Sequence, residues 1–231
     1  MLSRIREPEV MDTAEEAVDY NQMDHSNVNR RFVDDFLRAL ELRDPTEPRC
    51  VNVFDAGTGT ALIPIELIQR DQTFFVTASD LAQAMLVVAR ENILTAGLEA
   101  SIQLILSDCK RLPDGDGAYD AVMSNSIVHH IPEPHSVLAE LWRILKPGGI
   151  LFVRDLMRPD DIKTLENLVQ TYAGDANSHQ QKMFRESLHA ALTVDEVREL
   201  VGELGISGAA VQPTSDRHWT IWVRKRNMEF A

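Results

Sequence analysis

The chain of 231 residues has only two cysteines, Cys50 and Cys109, which fit no CxxC or metal-ligand spacing. A disulfide framework is therefore not expected, and the two read as a buried small residue and a loop residue. Basic residues are also in deficit, with 23 Lys and Arg against 36 Asp and Glu and a formal net charge of -13. The densest basic run is the short VRKR stretch at 223–226, too little to neutralise a phosphate backbone, so nucleic acid is not an expected partner. No apolar run approaches the ~20 residues that span a bilayer, and the first twenty residues mix acids and bases where a signal peptide needs an apolar stretch. These features lead us to expect a soluble, cytoplasmic protein. No repeat, low-complexity linker or His/Cys/Asp group with metal-ligand spacing is present, so no metal is expected.

What is present is a hydrophobic content of 44%, enough for one sizeable core in a chain of this length. Short apolar runs at Val51–Phe54, Phe74–Ala78, Ile102–Leu106, Ala121–Met123 and Ile150–Val153 suit strands buried on both faces. Helix-length stretches separate them. The one at 135–145 carries a one-sided stripe of Val137, Leu138, Leu141, Ile144 and Leu145, and stops at Lys146-Pro147-Gly148-Gly149. Such alternation predicts parallel strands with right-handed crossovers, a doubly wound α/β sheet whose ligands sit at the C-terminal strand edges.

The two ends break this rhythm. Helices are predicted over 13–20 and 27–42, and a long, mostly helical insertion over 160–192. Thr193-Val194-Asp195-Glu196 has the form of a capping box opening a helix that ends near Gly205. A closing strand pair is expected at 209–212 and 218–224. The two irregular segments are natural caps for a ligand site.

In Asp55-Ala56-Gly57-Thr58-Gly59-Thr60-Ala61, two glycines let backbone approach a ligand, and the following helix directs free N–H groups at it. A dinucleotide fingerprint wants a glycine where Leu62 stands, and a Walker loop wants a lysine that 51–67 lacks. Pro64 is tolerated because it falls in the first helical turn. The next strand ends at Asp80, 25 residues after Asp55. An acid there can accept from both ribose hydroxyls of an adenosine group, or cap the helix that follows. Asp108, at the tip of the third strand, can accept from an adenine amino group or serve as a turn residue.

The series DAGTGT, ASDLAQAML, LSDCKRLP, YDAVMSNSIVHHI and LWRILKPGGILFV resembles the ordered motifs of the class I S-adenosylmethionine-dependent methyltransferases over roughly residues 50–155. Among these it looks closest to small-molecule enzymes of the ubiquinone/menaquinone-biosynthesis type. Ala61 departs from the third glycine of many members. The resemblance implies a Rossmann-like, seven-stranded sheet with the last strand antiparallel and with helical cap segments. It implies one methyltransferase domain: an N-terminal helical cap at 1–49, a cofactor-binding core at 50–155, a helical insertion at 156–192, and a C-terminal helix and strand pair at 193–231.

By the same resemblance Asp55, Gly57, Thr58 and Gly59 hold the methionine end of S-adenosyl-L-methionine, and Asp80 its ribose. Leu81 and Met85 pack near the adenine, with Asp108 and Cys109 at its rim; Leu81 and Met85 read equally well as core. Asn125 and Ser126 line the methyl group with oxygens or simply terminate their strand. His129 and His130 are adjacent, and one of them could deprotonate an acceptor near neutral pH, although packed histidines are common at such places. Tyr20, Met23, Tyr172 and Arg185 are candidate substrate contacts, Arg185 as the partner of an anion. The expected activity is methyl transfer to a small organic acceptor. The alternatives are a cofactor-binding protein without transferase activity, serving as sensor or partner subunit, and a methyltransferase acting on protein or RNA.

Overall fold

A computed structural model describes residues 2–7, 12–23, 25–41 and 50–226. The expected end of the second helix at Leu42, and the cap residues 42–49, lie outside the described residues. Seven strands form one sheet in the order β3-β2-β1-β4-β5-β7-β6: β1 Val51–Ala56, β2 Phe74–Asp80, β3 Ile102–Leu106, β4 Tyr119–Asn125, β5 Leu145–Leu156, β6 Val211–Pro213 and β7 His218–Arg224. β1 pairs in parallel with both β2 and β4, and β2 with β3; the last strand, β7, runs antiparallel to β6 with Val211 opposite Ile221. The eight helices of the described residues are α1 Ala14–Gln22, α2 Ser26–Glu41, α3 Leu62–Arg70, α4 Gln83–Ala96, α5 Pro134–Ile144, α6 Ile162–Ala173, α7 Ser178–Ala190 and α8 Val194–Glu203. None of these helices is long and apolar enough to cross a membrane.

The chain divides into two compact units. The larger comprises residues 10–125, 139–153 and 222–231, and the smaller residues 1–9, 126–138 and 154–221.

In the larger unit, α2 does more than cap. Its Phe32, Val33, Phe36, Ala39 and Leu40 are buried in one cluster with Val51, Val53, Ala121, Met123, Ile150 and Phe152 of the sheet. The rings of Phe32 and Phe36 meet Phe152 edge-on, with centroids 5.1 and 5.8 Å away. Aromatic edges against aromatic faces combine large apolar burial with favourable quadrupole geometry. Thr13 and Glu16 close a reciprocal capping box at the start of α1. The helix then packs on α4 through Ala17, Ala82 and Met85. Near the start of β5, Gly149 is required by space. A Cβ there would lie 2.8 Å from the Asp120 carbonyl oxygen and 2.9 Å from that of Lys146, both backbone atoms.

In the smaller unit, the expected helical insertion is two helices. α6 opens on Asp161, whose carboxylate accepts the Thr164 amide, and α7 opens on a second capping box, Asn177 with Gln180. Leu165, Leu168, Val169, Leu188 and Ala191 pack with Leu156 into a separate small core. The capping box at Thr193 and Glu196 opens α8 as its sequence predicts, and Gly205 follows the helix with φ +73°.

Candidate cofactor site and histidine cluster

Parallel register brings the acids together in the larger unit. Asp55 pairs with Ala78 and Asp80 with Leu106, so the C-terminal ends of β1, β2 and β3 share one edge, as crossovers of one hand require. The glycine loop leaves β1 there. Gly57, Gly59 and Ala61 adopt φ of 70°, 56° and 62°. The left-handed region costs glycine nothing; Ala61 stands in it at the start of α3, fully buried.

Asp80 anchors this loop. Its Oδ2 accepts the Gly59 amide at 2.7 Å and its Oδ1 accepts the Ala82 amide at 2.9 Å, so the residue caps the approach to α4 and ties down the glycine turn at once. Each oxygen retains a second lone pair for a ribose hydroxyl. The loop is further fixed by Thr58 N–H donating to the Ser79 carbonyl at 2.8 Å, and by Asn92 Nδ2 donating to the Thr60 carbonyl at 2.9 Å. Asn92 Nδ2 also donates to Asn21 Oδ1, coupling α1 to the turn. Tyr20 stands over Gly59, with its ring carbon 3.7 Å from where a Cβ would be.

Asp55 is 2% exposed. Burial, with the nearby Asp80 carboxylate, pushes its pKa up to about 7. A cleft opens in front of it, bounded by Tyr20, Asp55, Gly57, Thr58, Thr60 and Asn125. Two buried polar atoms on this lining, Thr60 Oγ1 and Asn125 Oδ1, have no hydrogen-bond partner among the described residues. Buried polar groups are rarely left so, and each is a place for a polar ligand atom. A zwitterionic amino-acid end beside a buried carboxylate fits this lining: the carboxylate can take an ammonium, and the hydroxyls can donate to carboxylate oxygens.

The remaining candidates fall out differently. Leu81 is 39% exposed beside Asp80, whereas Met85 is 4% exposed and packed between α1 and α4, which is the core role. Asp108 makes a local turn, accepting the Lys110 amide at 2.9 Å and pairing with its ammonium at 3.1 Å. Cys109 is buried, its Sγ 3.9 Å from Ser79 Oγ, and burial pushes its thiol up to about 12. Cys50 is exposed and both cysteines are free. Met23 ends α1, half-buried. Thr60 belongs to the lining and was not among the candidates; its signal was its place in the glycine turn.

In the smaller unit Ser126 has φ +59°, with its amide bonded to the Arg154 carbonyl at 2.9 Å. A 3-10 turn at Val128–His130 follows. His129 is 3% exposed, its Nδ1 2.5 Å from Asp155 Oδ1 and its Nε2 3.4 Å from Glu7 Oε1. Burial alone would lower its pKa, but the Asp155 carboxylate, with Glu7, more than reverses this. The His130 ring lies against His129, centroids 4.1 Å apart. Asp155 was missed, although it is an acid near the C-terminal end of a strand, the same signal that found Asp80. Arg185 is already in a bidentate pair with Glu166 at 2.8 and 2.7 Å, which answers the charge assigned to a substrate anion. Tyr172 is likewise engaged: its hydroxyl donates to Asp216, and the Arg217 guanidinium lies 3.3 Å above its ring centre.

Residues 54–153 match the family model described as a methyltransferase domain. The chain is 33% identical to the demethylmenaquinone methyltransferase of Thermus thermophilus over 53% of this chain and 54% of that one. It is 30% identical to the malonyl-[acyl-carrier protein] O-methyltransferase of Enterobacter lignolyticus over 73% of this chain and 61% of that one. It thus spans little more than half the length of such curated relatives. Among solved structures, a candidate S-adenosyl-L-methionine-dependent methyltransferase from Methanococcus maripaludis shares the fold with a TM-score of 0.74 at 19% identity, covering 98% of this chain and 100% of that one. Residues 54–153 are thus similar to a methyltransferase domain, and the chain shares its fold with the Methanococcus maripaludis structure.

Proposed function

We propose that the protein transfers a methyl group from S-adenosylmethionine to a small organic acceptor. The observation that carries this reading is the cleft at the end of β1, where Thr60 and Asn125 present unpartnered buried oxygens beside the buried Asp55. When bound, the cofactor supplies an electrophilic methyl group on a sulfonium sulfur. The chain supplies position: Asp55 and the glycine turn hold the amino-acid end, Asp80 accepts from the ribose, and Leu81 offers an apolar surface to the adenine. In-line displacement gains most of its acceleration from such placement. The small-acceptor reading draws on relatives named for a demethylmenaquinone and for a malonyl group on a carrier protein, and on the acidic charge balance that disfavours RNA.

The test is to incubate the protein with methyl-labelled S-adenosylmethionine and fractionated metabolite extracts, following both S-adenosylhomocysteine and the labelled product. Product from a low-molecular-weight fraction is expected. Cofactor binding by calorimetry without product from any fraction would make the protein a binding module, and label transferred to protein or RNA would replace the acceptor class. Absence of cofactor binding would overturn the reading altogether.

A further inference from the structure

We propose that Glu7, His129 and His130 form a site for one divalent transition-metal ion of the zinc class. One carboxylate oxygen, Glu7 Oε1, lies 3.4 Å from His129 Nε2 and 3.2 Å from His130 Nδ1, and the three atoms all fall within 4.8 Å of one another. Ligand atoms 2.0–2.1 Å from a tetrahedral ion stand about 3.3 Å apart, so both Glu7 distances have the spacing of a tetrahedron's edge.

The arrangement around His129 points the same way. Asp155 Oδ1 lies 2.5 Å from His129 Nδ1 and fixes the ring with its other nitrogen, Nε2, turned to the Glu7 carboxylate. Glu7 Oε1 is buried and accepts no hydrogen bond among the described residues, while Ser187 Oγ donates to its other oxygen at 3.3 Å and turns Oε1 toward the histidines. Asp155 is itself fixed, accepting the His129 amide at 3.0 Å and the Leu156 amide at 2.6 Å. A carboxylate behind a histidine in this way orients the ring and raises its basicity toward a metal.

Two imidazoles and one carboxylate select zinc, cobalt, nickel or ferrous iron over magnesium and calcium, which take oxygen ligands. Three protein donors leave a fourth position for water, and His130, which is not fully buried, gives it access. Glu7 reaches the site on an N-terminal segment without regular structure. That segment is tied down by Arg4, which donates to the carbonyls of Ala190, His129 and Ile131, and by the Ile5 amide on the His189 carbonyl. A bound ion would clamp this segment to the 3-10 turn. Glu7 is remote in the chain from the histidine pair, so no spacing marks the site.

The test is titration of the chelator-treated, desalted full-length protein with cobalt(II), read by its visible absorption, and with zinc(II), read by displacement of cobalt. One equivalent of cobalt with intense bands of low coordination is expected, together with a zinc-dependent rise in Tm. Because His129 is buried, its loss risks misfolding, so the variants are Glu7→Gln and His130→Gln, with folding checked by circular dichroism. Each should weaken binding at least tenfold and abolish the zinc-dependent Tm rise, and Asp155→Asn should weaken binding ~10–100-fold while leaving one site. No stoichiometric binding to the folded wild-type protein would overturn the proposal and leave the cluster as an ion-paired clasp. Undiminished binding in both folded variants would overturn it equally.

Discussion

Asp80 accepts the Gly59 amide at 2.7 Å, so the acid at the tip of the second strand holds the glycine turn that leaves the first. In the proposed function the same carboxylate serves the cofactor as well as the fold. Replacing Asp80 with Ala removes two anchoring bonds and the proposed ribose acceptor, and should weaken S-adenosylmethionine binding by about 1.5–3 kcal/mol. Asp80→Asn keeps one acceptor oxygen and should fall between. Calorimetry on both folded variants checks the order, and an unchanged affinity in Asp80→Ala would reduce the residue to a structural tie.

Asp55 predicts a pH dependence with a definite sign. Its pKa is about 7 in the folded chain against an ordinary 3.8, because burial disfavours the charged form. The folded state therefore binds more protons than the unfolded one between those values, and stability falls as pH rises from about 4 to 7. The full cost is on the order of 4 kcal/mol for a shift of this size. Urea unfolding of the cofactor-free protein should show this slope, and Asp55→Asn should flatten it. Binding a positively charged amino group beside Asp55 should expel the proton, so calorimetry at pH 6.5 in buffers of different ionisation enthalpy should detect proton release.

Ala61 occupies left-handed backbone, φ 62° and ψ 22°, which costs an L-residue roughly 1–2 kcal/mol. Ala61→Gly relieves that strain but loses a buried methyl group and adds chain entropy to the unfolded state, so its stability should lie within about 1 kcal/mol of wild type. Ala61→Val should be destabilised by about 2 kcal/mol or more, since a β-branched side chain is a steric outlier there. Equal unfolding midpoints for the two variants would contradict the assigned conformation.

Gly149→Ala drives a Cβ against the carbonyl oxygens of Asp120 and Lys146, neither of which is a flexible side-chain tip. A loss of about 1–3 kcal/mol is expected from such overpacking. Denaturant melts of the purified variant would show it, and a neutral result would mean that the start of β5 yields.

Phe36→Ala tests whether α2 belongs to the core. Its ring is fully buried against Phe152, so truncation should cost about 3–5 kcal/mol, as for other buried aromatic deletions. A surface cap would lose far less.

The sheet and the glycine turn after its first strand were legible in the sequence alone. Short apolar runs, the spacing of Gly57 and Gly59, and acids at strand ends are local signals, set by backbone sterics and by burial on both strand faces. Asp55, Asp80 and Thr58 lie at one edge of the sheet as expected, because parallel strands with crossovers of one hand deliver their ends there. Tertiary structure decided what depends on partners distant in the chain. It set Met85 against α1, paired Arg185 with Glu166, and turned α2 from a cap into the cover of the larger unit's sheet face. The clearest case is the histidine pair: its place after the fourth strand is legible in the sequence, but only folding brings Glu7 and Asp155 to opposite nitrogens of the same imidazole. Residue type and spacing encode local geometry, whereas the chemistry of a side chain is set by the neighbours that remove it from water.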